Sequence, residues 1–216
     1  MRRRSRSTRA PPGRASYSEF AAISVSPPLS IGPPGGPVVG RACPVAPGTL
    51  SSSGKARPGP RVEGPDVAPG SPAPDFTLKT AEGEDFTRES LLGRTTVLVF
   101  FPNAFSPVCT DQFQIYEEAL PELAAQGAVL YGVSTDQTWS QTAFREQLGV
   151  SIEFLSDHEP KGAASRAFGA YFEPAGFSDR ALVIVGPDGV VAWSHLAANP
   201  GELPGVNLIF DGLAAA

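Results

Sequence analysis

The C-terminal part of the chain alternates apolar and polar positions with the periods of strands and helices. The stretch PDFTLKTAEGEDF predicts a β-hairpin, with Phe76 and Leu78 on one face of its first strand and Glu82 and Gly83 in its turn. The run TTVLVFF, residues 95–101, is almost continuously apolar and rich in residues that favour strands. Such a run is typical of a strand covered on both faces, so it predicts the centre of a sheet.

A helix is predicted directly after this strand. Ser106 is a favoured N-cap residue, and Pro107 suits the first helical position. Apolar side chains then recur at steps of four and three, which is the spacing of one helical face: Cys109, Phe113, Tyr116, Leu120 and Leu123. Cys109 therefore falls in the first turn of the predicted helix.

The next segments alternate between strand and helix. AVLYGVST (128–135) predicts a second buried strand, and WSQTAFREQLG (139–149) predicts a helix that Gly149 closes. IEFLSD (152–157) predicts a third buried strand, which is followed by a short helix around GAASRAFG. This order is typical of parallel strands connected by helices.

The segment RALVIVGPDGVVAWSHL (180–196) predicts two apolar strands joined by a tight turn at Gly-Pro-Asp-Gly, and a last helix is expected near 204–213. Within the helix predicted over 139–149, Trp139 and Phe144 are expected to pack in the core. Parallel strands joined by helices, with an antiparallel edge, make an α/β sandwich in which a mixed sheet carries helices on both faces. That is the predicted fold class.

The N-terminal part of the chain has a different composition. Residues 1–65 are rich in Pro, Gly, Ser and Arg, and they show no sustained period of a strand or a helix. They carry ten Lys or Arg and two Glu, a net charge of +8, whereas residues 66–216 have a net charge of −13. We therefore expect a disordered basic extension, 1–65, before a single folded domain, 66–216.

Three interpretations of the extension stay open: a basic arm for nucleic acid or anionic surfaces, an organelle transit peptide, or translated sequence upstream of the true start. Runs of Arg are common in tails rich in Pro and Gly, so a non-functional extension is favoured. We therefore predict no nucleic-acid partner.

Cysteine usage points to a reducing compartment. The chain holds two cysteines, Cys43 and Cys109, too few for the disulfide framework of a small secreted domain. No paired zinc-ligand motif occurs, and His158 and His195 are isolated, so no metal site is predicted. No stretch approaches the roughly 20 apolar residues of a membrane span. These features predict a cytoplasmic protein without a membrane partner.

The predicted position of Cys109 favours an ionised thiol. The first turn of a helix leaves backbone N–H groups unpaired and carries the positive end of the helix dipole, and both stabilise a thiolate. Ser106 can cap the helix and also direct its hydroxyl toward the sulfur or a bound oxygen. Pro102 ends the preceding strand and removes one competing N–H from the loop. The alternative is that Cys109 is simply a small buried apolar residue.

The segment PNAFSPVC (102–109), a Pro-x-x-x-Thr/Ser-x-x-Cys pattern after a strand rich in Phe, resembles the active-site motif of the peroxiredoxins. APDFTL near the start of the domain and Arg180 at the start of a late strand fit the same family, and the likeness spans about residues 67–216. FFPNAFSPVC and NPGELP are most similar to the one-cysteine type grouped with alkyl hydroperoxide reductase E. The resemblance implies a thioredoxin-like fold and the reduction of peroxides without a metal or organic cofactor.

The resemblance also implies roles for four residues, and these roles favour a nucleophile over a core cysteine. They are Cys109 as the peroxidatic cysteine, Ser106 as the hydroxyl that holds the peroxide, Arg180 as the guanidinium that stabilises thiolate and substrate, and Pro102 as the shield of the pocket. Ser106 stands where Thr is commoner, and Gln112 stands where many members have Glu. The alternatives are that Arg180 is a surface charge and that Pro102 only ends a strand.

The expected reductant follows from the cysteine count. The position five after Cys109, where some relatives have a second cysteine, is Gln114, and the other thiol, Cys43, lies in the extension. We therefore expect an external reductant: a low-molecular-weight thiol, a glutaredoxin-like protein or thioredoxin. The expected substrates are hydrogen peroxide and organic hydroperoxides, and the expected assembly is a homodimer.

Two other functions compete with a peroxidase. A thiol-disulfide oxidoreductase normally needs Cys-x-x-Cys, and the segment SPVC (106–109) supplies only one thiol. A non-catalytic binding or chaperone module on a thioredoxin fold is the other alternative, because a fold does not fix a function.

Overall fold

A seven-stranded mixed sheet forms the centre of the domain. The computed structural model describes residues 67–215. Within them the strands are β1 (Thr77–Lys79), β2 (Asp85–Thr87), β3 (Thr95–Phe100), β4 (Ala128–Ser134), β5 (Glu153–Ser156), β6 (Tyr171–Phe172), β7 (Phe177–Ser178), β8 (Ala181–Val185) and β9 (Val191–Leu196). The helices are α1 (Pro107–Ala125), α2 (Thr138–Leu148), α3 (Ala163–Ala167) and α4 (Val206–Ala214), with a 3₁₀ helix at Arg88–Leu91. The predicted extension, 1–65, lies outside the described residues, so the domain boundary stays a prediction.

The sheet has the predicted mixture of parallel and antiparallel strands. Its strand order is β2-β1-β5-β4-β3-β8-β9, while β6 and β7 form a separate hairpin. β3, β4 and β5 pair in parallel and are connected through α1 and α2. β8 pairs with β3 in the antiparallel direction. The run TTVLVFF therefore contains an inner strand with a neighbour on each side, as its apolar pattern predicts.

The side chains of β3 alternate between two apolar cores. Val97, Val99 and Phe101 face the core that contains residues of α1, α2 and α4. Leu98 and Phe100 face the core that contains residues of α3 and the 3₁₀ helix. Successive side chains of a strand point to opposite faces, so a strand covered on both sides is apolar at most positions; in β3 the buried polar exception is Thr96. Helices thus cover both faces of the sheet, which confirms the predicted fold class.

Both predicted hairpins are present. Leu78 of β1 lies opposite Phe86 of β2, and Gly83 adopts a φ of 82° in the turn between these strands. β8 and β9 pair around the Gly-Pro-Asp-Gly turn, in which Gly189 adopts a φ of 77°. Glycine enters this left-handed region without the steric penalty that other residues meet. The glycines in the two turn sequences therefore fix where the chain reverses.

The prediction for Trp139 is wrong. Its side chain is 84% exposed, whereas Phe144 is fully buried. The two residues are five positions apart, and at 3.6 residues per turn they are separated by about 140° around the helix axis. Gln141, three positions before Phe144, shares its buried face instead. The aromatic pair therefore cannot lie on one face of α2.

Candidate active site

The helix α1 begins where the central strand ends. Ser106 is the N-cap of α1, and Pro107 occupies its first turn, as the sequence predicts. The Ser106 hydroxyl accepts a hydrogen bond from the backbone N–H of Cys109 over 3.4 Å. Cys109 is completely buried among the residues of the core beneath α1. The sulfur therefore lies beside the N-terminus of a helix of 19 residues.

Antiparallel pairing of β3 with β8 brings Arg180 to the same place. Ala181 lies opposite Phe100, so Arg180, the residue before it, emerges beside the end of β3. Its Nη2 lies 3.4 Å from the Sγ of Cys109, although the two residues are 71 positions apart. Arg180 is 1% exposed, so it is not a surface charge. The fold thus joins two residues whose proximity the local sequence does not reveal.

Two further acceptors hold the guanidinium in place. Nη1 of Arg180 donates a hydrogen bond to Oε1 of Gln112, and Nε donates to the backbone carbonyl of Pro200 over 2.9 Å. Gln112 lies about one turn after Cys109 and is completely buried. All three nitrogens of the guanidinium therefore have an acceptor, and the planar group has a fixed orientation toward the sulfur.

Gln112 extends these contacts to the segment before α4. Its Nε2 donates to the Tyr116 hydroxyl over 3.2 Å, and that hydroxyl donates to the backbone carbonyl of Pro204 over 2.7 Å. Burial raises the pKa of Tyr116, against the opposing effects of the Gln112 hydrogen bond and the Arg180 charge. Tyr116 is thus a neutral phenol at neutral pH, which lets it donate to Pro204. Sequence reasoning missed this role, although Cys109, Gln112 and Tyr116 follow the spacing of one helical face.

The loop between β3 and α1 carries Pro102. This residue is buried two positions after the end of β3, but the hydrogen bonds of the site join Cys109, Ser106 and Arg180 without it. Phe105, next to the N-cap, adopts a φ of 64° and is 48% exposed. The structure therefore brings three of the four predicted site residues into contact, and Pro102 lies at the base of the same loop.

A groove of about 510 Å³ lies on another part of the surface. It is bounded by the turn between β1 and β2, by α2 and by β5, and its lining includes Thr80, Glu82, Thr142, Arg145 and Glu153. None of the four predicted site residues lines this groove. The reacting end of a hydroperoxide is two oxygen atoms, so the chemistry expected at Cys109 does not require a cavity of that size.

Residues 67–215 contain neither a candidate metal site nor a candidate membrane span. No group of three or more His, Cys, Asp or Glu side chains in this range could hold a metal ion. No helix in the same range is long and apolar enough to cross a lipid bilayer.

The fold and the site together define a thioredoxin-like α/β protein with a buried cysteine at a helix start beside an arginine. The family model described as the AhpC/TSA family matches residues 69–194. The chain is 31% identical over 147 residues to alkyl hydroperoxide reductase E of Mycobacterium tuberculosis, a match that covers 68% of this chain and 95% of that protein. It is also 31% identical over 128 residues to peroxiredoxin 2 of Thermoplasma acidophilum, which covers 57% of this chain and 64% of that protein.

Solved structures agree with this relationship. The crystal structure of Enterococcus faecalis AhpC is similar with a TM-score of 0.61 and 25% identity, over 68% of this chain and 92% of that one. The chain belongs to the AhpC/TSA family of peroxiredoxins. Membership supports a thiol-dependent peroxidase activity.

Proposed function

We propose that this chain is a one-cysteine peroxidase that reduces hydrogen peroxide and organic hydroperoxides at Cys109. The observation that carries the proposal is the distance of 3.4 Å between Nη2 of Arg180 and Sγ of Cys109, in the first turn of α1. A fixed cation and the N-terminus of a helix both favour the thiolate over the thiol. The thiolate is the form of cysteine that attacks a peroxide.

In the first step, the Cys109 thiolate attacks one oxygen of the hydroperoxide. An S–O bond forms as the O–O bond breaks, and the other oxygen leaves and takes up a proton to become water or an alcohol. Cys109 is oxidised to sulfenic acid while the peroxide is reduced. We assign Arg180 and the Ser106 hydroxyl to binding the peroxide and to stabilising the charge that develops on the leaving oxygen. We assign Pro102 to shielding the pocket from water.

An external thiol then regenerates Cys109. Its sulfur attacks the sulfenic sulfur, water leaves, and a mixed disulfide forms, which a second thiol reduces to free Cys109. The described residues supply no partner for this step, because Cys109 is their one cysteine and Cys43 lies outside them. The proposed reductant is a low-molecular-weight thiol, a glutaredoxin-like protein or thioredoxin. No metal or organic cofactor takes part in either step.

The assembly and the location belong to the same proposal. Peroxiredoxins often form dimers, and we extend that property to this chain as a homodimer. The cytoplasmic location rests on the presence of only two cysteines in the whole sequence.

The test is a single turnover without reductant. The parent chain should consume one equivalent of hydrogen peroxide and gain the mass of one oxygen atom at Cys109. Cys109→Ser should consume none, with an unchanged melting temperature, while Cys43→Ser should react like the parent. Repeating the assay with each class of thiol under turnover conditions identifies the reductant. Peroxide consumption by Cys109→Ser would refute the proposal, and an inert parent chain would favour the binding or chaperone module.

A further inference from the structure

A carboxylate outside the proposed mechanism holds the loop that leads into α1. Oδ2 of Asp136, just after β4, accepts a hydrogen bond from the backbone N–H of Ala104 over 2.8 Å. Ala104 lies two residues before Ser106, the cap of α1. The same carboxylate oxygen accepts from the Ser134 hydroxyl over 2.8 Å. Asp136 thus links the end of β4 to the loop beside the site.

Asp136 is itself fixed from several elements. The Ser134 hydroxyl that donates to its carboxylate also accepts from Nε2 of Gln141, on α2, over 2.9 Å. The backbone carbonyl of Asp136 accepts from the hydroxyl of Ser156, the last residue of β5, over 2.6 Å. Ser134 of β4, which Gln141 of α2 binds in turn, therefore holds the side chain of Asp136, and Ser156 of β5 holds its backbone. It is a rigid anchor for the loop.

The loop that Asp136 holds is strained. Phe105, between Ala104 and Ser106, adopts a φ of 64°, a conformation that bulky side chains rarely take. Such a conformation persists only where the surrounding structure holds it, and it is often found next to functional residues. The ring of Phe105 packs edge-on against Phe144, with ring centroids 5.2 Å apart, and the Asp136 hydrogen bond fixes the residue before it.

We propose that Asp136 is a positioning residue, which holds Phe105 in its left-handed conformation and so places the Ser106 hydroxyl beside Cys109. This inference rests on the proposed function, in which that hydroxyl binds the peroxide. Without the carboxylate, the loop can relax and turn Ser106 away from the site. The guanidinium of Arg180 that contacts Cys109 is held by Gln112 and Pro200, which lie outside the loop. Loss of Asp136 should therefore impair peroxide binding more than thiolate formation.

The experiment compares two rates in matched variants. The variant is Asp136→Ala, and its conservative partner, Asp136→Asn, keeps an acceptor oxygen of the same reach. The control is Glu117→Ala. Like Asp136, Glu117 is a carboxylate that accepts from a serine hydroxyl and a backbone N–H, but its partners lie away from the loop: the Ser151 hydroxyl at 2.6 Å and the backbone N–H of Ile152 at 3.2 Å. Each protein is assayed for its second-order rate with hydrogen peroxide, its rate of alkylation by iodoacetamide, and its melting temperature.

Asp136→Ala should slow peroxide reduction about 10-fold or more, since a hydrogen bond to a charged group is lost from the arrangement that binds the peroxide. The alkylation rate should change much less, and Asp136→Asn should recover part of the loss. In a Ser106→Ala background, Asp136→Ala should slow the reaction little further, because the two residues act through the same hydroxyl.

The inference is overturned if Asp136→Ala reacts like Glu117→Ala, if both rates fall by one common factor, or if the effects of Asp136→Ala and Ser106→Ala multiply. A parent chain that reduces no peroxide would instead refute the proposed function. An active parent with an unaffected Asp136→Ala variant refutes the positioning role alone.

Discussion

Replacing Arg180 by Lys keeps the positive charge next to Cys109 but removes the planar group that bridges three partners. In the parent, Nη2 reaches the sulfur over 3.4 Å, Nη1 donates to Gln112, and Nε donates to the carbonyl of Pro200 over 2.9 Å. A lysine ammonium carries all its N–H donors on a single nitrogen at the end of a flexible side chain. It can therefore approach the sulfur or the other two acceptors, but it cannot hold all three in the parent geometry.

The structure sets the scale of the expected effect. Two unit charges 3.4 Å apart attract by about 5 kcal/mol at an effective dielectric constant of 20, before the cost of removing both from water. Loss of one preorganised donor from a charge-stabilising site typically slows a reaction about 100- to 1000-fold. We expect Arg180→Ala to slow peroxide reduction within that range, and Arg180→Lys to slow it roughly 10- to 100-fold because the charge remains.

Stability should change as well. Arg180→Ala leaves the buried carbonyl of Gln112 and the carbonyl of Pro200 without the donors that they have in the parent. The unsatisfied oxygen of Gln112, which is completely buried, costs about 1–3 kcal/mol of unfolding free energy, and the partly buried carbonyl of Pro200 costs less. The kinetic comparison must therefore be made well below the melting temperature of the variant.

The assay is stopped-flow reaction with hydrogen peroxide, together with the pH dependence of Cys109 alkylation. The second measurement reports the thiolate fraction, so it separates lost ionisation from lost stabilisation of the transition state. Arg94→Lys is the control, because Arg94 donates to the Tyr131 hydroxyl over 3.0 Å from the residue before β3, at the opposite end of that strand. If Arg180→Ala matched this control in rate and in alkylation profile, Arg180 would have no role in the reaction.

Two other changes test the surroundings of the site. Gln112→Glu should slow peroxide reduction, because a carboxylate would share the charge of Arg180 and could not donate to the Tyr116 hydroxyl; a rate equal to the parent's would contradict this. The carboxylate of Asp157 accepts from the backbone N–H groups of Ala164 and Ser165, and burial raises its pKa above the ordinary value. A raised pKa in the folded state means that Asp157 contributes most to stability at acid pH. That contribution is lost as the pH rises through the pKa that Asp157 has in the folded protein. The unfolding free energy of the parent minus that of Asp157→Asn should therefore increase as the pH falls from neutral toward the ordinary Asp pKa of 3.8, and denaturant titrations that show a decrease would rule this out.

The sequence predicted those parts of the site that depend on local signals. The apolar run of β3, the Ser106 cap and the proline at the helix start are contiguous, so the position of Cys109 follows from short-range chemistry. Arg180 needed one further step, the antiparallel pairing of β8 with β3. The family resemblance pointed to Arg180 itself, whereas its position beside Cys109 follows from that pairing.

Other features could not be predicted because they depend on tertiary contacts. Asp136 follows a strand, where an Asp is ordinarily interpreted as a turn residue, and its acceptor role appears only when Ala104 is folded against it. The carbonyls of Pro200 and Pro204 carry no side-chain signal at all. Trp139 shows the opposite error, in which an apolar side chain was expected in the core without regard to its angle around the helix.

The hydrogen bonds around Gln112 give a physical reason for an amide at this position. Arg180 donates to its oxygen, its Nε2 donates to the Tyr116 hydroxyl, and that hydroxyl donates to the carbonyl of Pro204. Every bond in this series runs in one direction, so the residue at 112 must accept on one side and donate on the other. A glutamate could accept from Arg180, but it would have no N–H for the tyrosine and would compete with Pro204 for the phenol proton. The amide therefore links the guanidinium to the segment before α4 while leaving the charge of Arg180 available to the sulfur.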